Sequence, residues 1–158
     1  MFDQSEIERR DDVLVYTSEI LDSGLEVTGP VTLRLHAASS APDTDFTAKL
    51  CDVRPDGYSH NIVEGVMRAR FRGSLSAPAP ITPERVYEYA IDLWATSHVF
   101  KAGHRLRLEV SSSNFPRYDR NPNTGADFGA DSELSTALQS VFHDRRYPSH
   151  LVLPVIPR

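Results

Sequence analysis

The feature that most constrains the fold of this chain is a strict alternation of apolar and polar residues at positions 31–37. The run reads Val31, Thr32, Leu33, Arg34, Leu35, His36 and Ala37. Successive side chains of a β-strand point to opposite faces, so a period of two places one face against a core and the other toward water. The pattern therefore predicts a strand in a sheet with one solvated face.

Shorter runs of the same kind recur along the chain and are separated by glycine and proline. The predicted strands cover residues 12–18, 25–28, 31–37, 45–53, 59–72, 87–94, 105–110 and 149–155. Residues 73–85 contain three prolines and are predicted to form a loop that crosses the sheet. About eight strands with little helix predict an all-β fold, an antiparallel two-sheet β-sandwich of the jelly-roll type.

One segment, residues 131–143, fits two predictions. Its apolar residues Leu134, Ala137, Leu138, Val141 and Phe142 have the spacing of an amphipathic helix. Residues 137–144, with the sequence ALQSVFHD, also fit a strand of the sheet. The pattern alone leaves both interpretations open.

The strand at residues 105–110 runs into a long polar loop that ends at Gly125. Its density of turn formers and hydrogen-bonding side chains predicts a loop shaped by its own hydrogen bonds. A contact loop for a neighbouring domain is the alternative. The candidate contact residues are Asn114, Arg117, Asp119, Asn121 and Asn123. Residues 119–125 also resemble a calcium loop, but the glycine is one position late and position twelve would be Ala130, so calcium is not the favoured prediction.

Two further patterns have a structural and a functional interpretation. Arg68, Arg70 and Arg72 alternate with apolar residues and predict a solvated sheet face, with an anion or partner-docking surface as the alternative. Tyrosines near Trp94 could form a platform for a sugar, but packing in the core and at its rim is the favoured prediction.

The sequence contains no recognisable acyl-transfer site. The G-x-S-x-G turn that exposes a nucleophilic serine does not occur. Ser111, Ser112 and Ser113 with His143 and Asp144 are the one conceivable substitute, but consecutive residues at a strand end alternate between faces. The six histidines lack the H-x-x-x-H spacing of zinc ligands. We therefore predict no catalytic residue, no cofactor and no metal site in this chain.

Composition narrows the classes of partner. A length of 158 residues fits one domain spanning residues 1–158, and a formal charge of -5 argues against nucleic acid. No apolar run approaches the ~20 residues of a membrane span, so no membrane partner is predicted. The acidic N-terminus does not read as a secretory signal, and the single cysteine, Cys51, reads as a half-buried core residue. A cytoplasmic location is the favoured expectation.

An ordered set of short segments along nearly the whole chain resembles one hydrolase family. The segments are DQ at 3–4, ERRDDVL at 8–14, LEVTG at 25–29, DTDF at 43–46, LCDVRPDG at 50–57, Gly65 with RAR at 68–70, GHRLRL at 103–108, SSSNFP at 111–116, RN at 120–121, HD at 143–144 and PS at 148–149. No single segment is specific, but their order is. The chain resembles the C-terminal domain of the X-Pro dipeptidyl-peptidase, cocaine esterase and α-amino-acid ester hydrolase group, the CocE/NonD hydrolases.

This resemblance implies a galactose-binding-domain-like jelly roll that follows an α/β-hydrolase domain with a helical cap. In the family the catalytic serine, aspartate and histidine all belong to the hydrolase domain, so none of them maps onto this chain. The family's jelly roll packs on the other domains, walls part of the substrate cleft and takes part in oligomer contacts. The implied function is a non-catalytic accessory domain whose partner is an α/β-hydrolase catalytic domain or chain.

The start of the chain departs from the family pattern. Family jelly rolls begin some tens of residues before the Asp-Gln motif, with at least one further strand, whereas this chain begins at Met1 and reaches the motif at Asp3. A missing leading strand would uncover a sheet edge or part of the core, so we expect an exposed edge that drives docking to a hydrolase chain or self-association. The rival hypothesis is a free-standing β-sandwich that binds a carbohydrate or another small ligand.

Overall fold

Nearly all of the regular structure in this chain is β-strand, as the sequence predicts. A computed structural model describes residues 3–127, 129 and 132–157. The strands are β1 Leu14–Thr17, β2 Leu25–Ser39, β3 Asp45–Val53, β4 Ser59–Arg68, β5 Tyr87–Phe100, β6 Arg105–Ser111, β7 Gln139–Phe142, β8 His150–Val152 and β9 Val155–Ile156. The described residues also contain two short 3₁₀ turns, Ile7–Arg9 and Ala69–Phe71. In these residues no helix is long and apolar enough to cross a membrane.

The strands form two antiparallel sheets, which confirms the predicted sandwich. One sheet has the order β1-β6-β3-β4. In the other, β2 pairs with β5 along one edge and with β7, β8 and β9 along the other. The described strands number nine: two predicted strands merge into β2, β7 forms from the segment with two interpretations, and the predicted strand at 149–155 divides into β8 and β9 around Leu153 and Pro154.

The two sheets enclose one apolar core. The inward residues of β2 predicted from the alternation, Leu33 and Leu35, are each 1% exposed. Across the core, the ring of Tyr89 on β5 packs against Phe46 on β3 with centroids 4.7 Å apart. The period of two therefore identified the core face of β2 correctly.

The segment Gly29-Pro30 bends one long strand and does not end it. Residues 25–28 and 31–37, predicted as two strands, both belong to β2. Gly29 has φ 133°, a conformation that a side chain would disfavour, and the pairing of β2 with β5 shifts register between Pro30 and Thr32. This β-bulge lets the strand continue past a proline that lacks an N–H donor.

Part of the segment at 131–143, for which the sequence left a helix and a strand open, forms a strand. Gln139–Phe142 form β7 and pair with β2 from Ser39 to His36. Residues 132–138 have no regular structure, and Asp131 lies outside the described residues. Leu134 and Leu138 are 68% and 72% exposed, so the apolar stripe of the alternative helix has nothing to pack against.

The N-terminal segment covers the outer face of the four-stranded sheet. All nine residues of β3 are buried, although only alternate ones face the core. The Gln4 N–H donates to the Ser59 carbonyl at 2.9 Å, and the Lys49 ammonium donates to Gln4 Oε1 at 2.7 Å. A second layer of polar contacts therefore fastens this segment onto the sheet.

Candidate domain-contact surface

The loop that follows β6 is fastened to the neighbouring strand β4 through one carboxylate. Asn114 Nδ2 donates to Glu64 Oε2 at 2.8 Å, and Arg117 Nε pairs with Glu64 Oε1 at 2.7 Å. The Asn114 carbonyl also accepts the N–H of Arg117 at 3.0 Å. Both oxygens of Glu64 thus hold the first turn of the loop.

A second anchor lies further along, where an asparagine bridges two buried aspartates. Asn121 Nδ2 donates to Asp43 Oδ2 at 3.1 Å and to Asp45 Oδ1 at 2.9 Å. Its own Oδ1 accepts the N–H of Asn123 at 2.9 Å, and Asn123 Nδ2 donates to the Ser135 carbonyl at 2.9 Å. Asn123 has φ 64°, in the left-handed region that asparagine tolerates better than most residues.

Two arginines neutralise the same aspartates. Arg68 donates to Asp45 through Nε at 2.8 Å and Nη2 at 3.0 Å, and to Asp119 at 3.1 Å. Arg70 Nε donates to Asp43 at 2.7 Å. The hydrogen bonds that Arg68 donates to Asp45 raise the pKa of its guanidinium above the ordinary value. These carboxylates are buried because each has a bidentate or hydrogen-bonded cation beside it.

The prediction of a solvated arginine face is therefore wrong. Strand β4 ends at Arg68, and Ala69–Phe71 form a 3₁₀ turn, so the alternation does not continue as a strand. Only 17% of the Arg68 side chain is exposed. Arg72 donates to the Ala79 carbonyl at 2.6 Å and lies 4.3 Å from the ring centroid of Tyr87. Acidic and carbonyl groups from distant segments cover a stripe that looks solvent-facing in the sequence.

All five candidate contact residues of the loop are engaged within the chain. Hydrogen bonds inside the loop, at Asn114 and Asn121, agree with the prediction of a loop shaped by its own hydrogen bonds, but most of the contacts run to other segments of the chain. Contact of these residues with another domain stays a prediction. The oxygens of the calcium-loop alternative have donors already, since Asp119 pairs with Arg68 and Asn121 Oδ1 accepts an N–H.

The loop also displays residues to solvent that were not among the five candidates, beside the exposed side chains of Arg117 and Asp119. Phe115 is 59% exposed, and the guanidinium of Arg120 lies 4.5 Å from its ring centroid. Beside them is a cleft of about 370 Å³ lined in part by Phe71, Arg120 and Pro122. The sequence analysis missed Phe115 as a candidate, although an aromatic residue within a polar loop was a usable signal.

The groups considered for acyl transfer make separate contacts. The Ser111 hydroxyl lies 2.8 Å from the Thr47 hydroxyl. The His143 ring packs edge-on against Tyr16 with centroids 5.7 Å apart. Asp144 Oδ1 accepts two backbone N–H groups of the turn that follows it. Among the described residues, these contacts serve local structure.

A buried cluster under the N-terminal segment was not anticipated from the sequence. Glu8, Cys51 and Glu109 place ligand-type atoms within 4.8 Å of one another, the one such group among the described residues. Lys49 lies 3.8 Å from Glu109, and Arg107 donates to Glu8 at 2.5 Å. Burial raises the pKa of both Glu109 and Cys51, so the thiol stays protonated. Lys49 and Arg107 thus place cationic groups beside the two carboxylates. Cys51 is fully buried, not half-buried as predicted.

An apolar groove runs beside β1, and residues of β6, β7 and β8 also line it. Three adjoining clefts of about 430, 190 and 290 Å³ share lining residues and form one continuous feature. We name it the β1 groove, and its defining residues are Leu14, Tyr16, Leu108, Val110, Val141 and Leu151. Leu14 is 43% exposed, and in the described part of the chain β1 pairs on one side only, with β6.

The aromatic residues of β5 do not form a joint platform. Tyr89 is fully buried, which raises its pKa to about 12, and Tyr87 is covered by Arg72. Trp94 is 68% exposed and has φ 68°. The positions of Tyr89 and Tyr87 confirm the predicted packing in the core and at its rim. Trp94 does not share in this packing.

Comparison with known proteins gives consistent matches. The profile of the family described as X-Pro dipeptidyl-peptidase C-terminal non-catalytic domain matches residues 2–152. Cocaine esterase from Rhodococcus sp. (strain MB1 Bresler) is 50% identical over 158 residues, covering 99% of this chain and 28% of the esterase. A solved α-amino acid ester hydrolase superposes with a TM-score of 0.92 at 34% identity. An aminopeptidase from the marine sediment archaeon Thaumarchaeota archaeon does so with a TM-score of 0.93 at 35% identity.

These matches span the chain but only part of each relative. Each of the two solved structures is matched over 98% of this chain and 27% of its own length. The chain thus spans about a quarter of the relatives, and in the esterase the matched part is the C-terminal region. By sequence and by fold, the chain belongs to the X-Pro dipeptidyl-peptidase C-terminal non-catalytic domain family, whose members are parts of larger hydrolases.

Proposed function

We propose that this chain is a non-catalytic accessory domain of an α/β-hydrolase-type serine hydrolase in the X-Pro dipeptidyl-peptidase or acyl/ester hydrolase group. It packs on the catalytic domain, shapes the substrate cleft and supports oligomer contacts, while bond cleavage takes place in its partner. The observation that carries this proposal is the match of residues 2–152 to a domain described as non-catalytic. The names of the relatives, an esterase, an ester hydrolase and an aminopeptidase, supply the reaction class.

The β1 groove is the surface on which we place the main contact with the hydrolase. Its defining residues are apolar or aromatic, and β1 has an unpaired edge among the described residues, a combination that favours an added extended segment. We assign the groove to the hydrolase polypeptide because about three quarters of each relative lies outside the matched region. In the absence of that partner, the same edge is expected to support self-association.

A chimeric enzyme tests the proposal. The C-terminal region of the Rhodococcus cocaine esterase is replaced by this chain, and the hydrolysis of a p-nitrophenyl ester is compared with that of the same esterase truncated before the region. We expect the chimera to be active and more heat-resistant than the truncated enzyme. A chimera no better than the truncated enzyme would reject the accessory role.

Measurements on the chain alone separate the rival functions. We expect no ester hydrolysis by the purified chain, and light scattering is expected to report concentration-dependent association. A carbohydrate-binding module would instead gain thermal stability with glycan concentration. Such a gain, together with an inactive chimera, would favour the free-standing ligand-binding function.

A further inference from the structure

The loop after β6 contains an outward pair that its internal hydrogen bonds do not use. Asn114, Arg117 and Asn121 donate to carboxylates of the chain's own strands. Phe115 and Arg120 lie between these anchors in the sequence and are exposed, Phe115 to 59%. The loop therefore holds one aromatic ring and one guanidinium in a fixed position on the surface.

We propose that Phe115 and Arg120 form the anchor with which this loop contacts the hydrolase domain, an inference that rests on the proposed function. The partner surface that fits them is an apolar recess bordered by a carboxylate. Aromatic residues and arginine dominate the energetic centres of protein interfaces, because they combine large contact area with directed hydrogen bonds. The Asn and Asp residues of the loop serve as its scaffold.

The chemistry of the pair defines the partner. The Arg120 guanidinium lies 4.5 Å from the Phe115 ring centroid, so the ring keeps one face of the cation in place. Among the described residues, Arg120 makes no hydrogen bond or ion pair, so its fork of donors is available to a carboxylate. The Arg117 guanidinium is less available to a partner, because its Nε already pairs with Glu64 Oε1 at 2.7 Å.

The surroundings of the pair support a contact of this kind. The adjoining cleft of about 370 Å³ includes Arg120, Phe71 and Pro122 in its lining, and offers room for a partner side chain beside Arg120. Because Glu64 and Asn121 hold the loop on both sides of Phe115, docking requires little additional ordering of the backbone. A scattered exposed phenylalanine on a mobile loop would lack this advantage.

The test uses the esterase chimera with Phe115→Ala and Arg120→Ala combined. The matched control combines Leu75→Ala and Arg145→Ala, an exposed leucine, 81% accessible, and an exposed arginine elsewhere on the chain. We expect the anchor variant to lower the temperature of half-inactivation by about 5 °C or more and the control by less than about 2 °C. The isolated chain carrying either pair is expected to unfold within about 2 °C of the original, since all four residues are solvent-exposed.

The outcomes separate the two proposals. If the original chimera is no better than the truncated esterase, the proposed function fails. If the original chimera is active and the anchor and control variants behave alike, the Phe115–Arg120 anchor is rejected and the accessory role stands. Two further chimera variants test whether a carboxylate of the partner pairs with Arg120. Arg120→Glu is expected to lower the half-inactivation temperature more than Arg120→Ala, because like charges repel, and high salt should reduce this difference. Equal effects of the two would contradict that part of the proposal.

Discussion

Arg68 forms two ion pairs of the same chemistry in different surroundings, which allows a matched measurement of what holds the loop. The Asp45 side chain is 4% exposed and accepts two hydrogen bonds from Arg68, while Asp119 is 55% exposed and accepts one. Removing one partner of a buried pair typically costs 3–5 kcal/mol, roughly, because the remaining charge loses its compensation. We expect Asp45→Ala to lower the free energy of unfolding by about 3 kcal/mol.

The loss of stability expected for Asp45→Ala lies at the lower end of the range for buried ion pairs for a structural reason. Arg68 keeps 17% of its side chain exposed and retains Asp119, so water and the second carboxylate compensate part of the loss. Asp119→Ala is the control, and its cost is expected to stay within about 1 kcal/mol because exposed ion pairs contribute little. For a chain of this size, the midpoint temperature of thermal unfolding should fall by about 6–12 °C in Asp45→Ala. In Asp119→Ala it should fall by less than about 4 °C.

The assay is urea-induced unfolding followed by far-ultraviolet circular dichroism, with the slope m compared between variants. Unchanged m values would show that only stability differs. Similar losses for Asp45→Ala and Asp119→Ala would refute the argument that burial sets the contribution of the pair. A loss below about 1 kcal/mol for Asp45→Ala would refute the role of this pair as an anchor.

Three further outcomes follow from local geometry. In Gly65→Ala the new Cβ would lie 2.0 Å from the Asp92 carbonyl oxygen, so a loss of about 3 kcal/mol is expected in urea, whereas Gly73→Ala, with open space, should stay within about 0.5 kcal/mol. The pKa of His60 is lowered chiefly by burial, so its share of stability is present above about pH 6.5 and lost as the pH falls through the folded-state pKa. His60→Asn should flatten that part of the pH profile, and an unchanged profile would contradict it. Cys51 is fully buried and should react with a thiol reagent only after unfolding, while rapid labelling of the native chain would contradict its placement.

The parts of the fold that could be predicted from the sequence are those set by local periodicity. The alternation at residues 31–37 identified the inward residues of β2 because neighbouring side chains of one strand determine it. The end of β4 was not predictable in this way. The Arg68 and Arg70 stripe looked solvated because Asp43, Asp45 and Asp119, which cover it, come from two other segments.

Long-range contacts also decided the segments that pattern left open. Gln139–Phe142 became a strand because the edge of β2 from His36 to Ser39 offers backbone partners, which an isolated window of sequence does not contain. The cluster of Glu8, Cys51 and Glu109 depends on a segment that folds back over the sheet from the N-terminus. The family resemblance supplied the architecture correctly, yet it carries no information on which loop residues face outward.

In the loop after β6, the polar residues that composition selected as candidates for contact with a partner also form hydrogen bonds within the chain. Asparagine and aspartate were chosen because they form hydrogen bonds readily, and for the same reason they are the residues that satisfy buried groups such as Asp43 and Asp45. A buried carboxylate must be compensated before a loop can be stable, so polar residues near it are committed to the interior first. The side chains left for a partner are those that this requirement does not use, and in this loop they include Phe115 and Arg120. In a loop built on buried charges, subtracting the hydrogen-bonded scaffold from the sequence therefore identifies the side chains whose polar groups and ring faces are still unused.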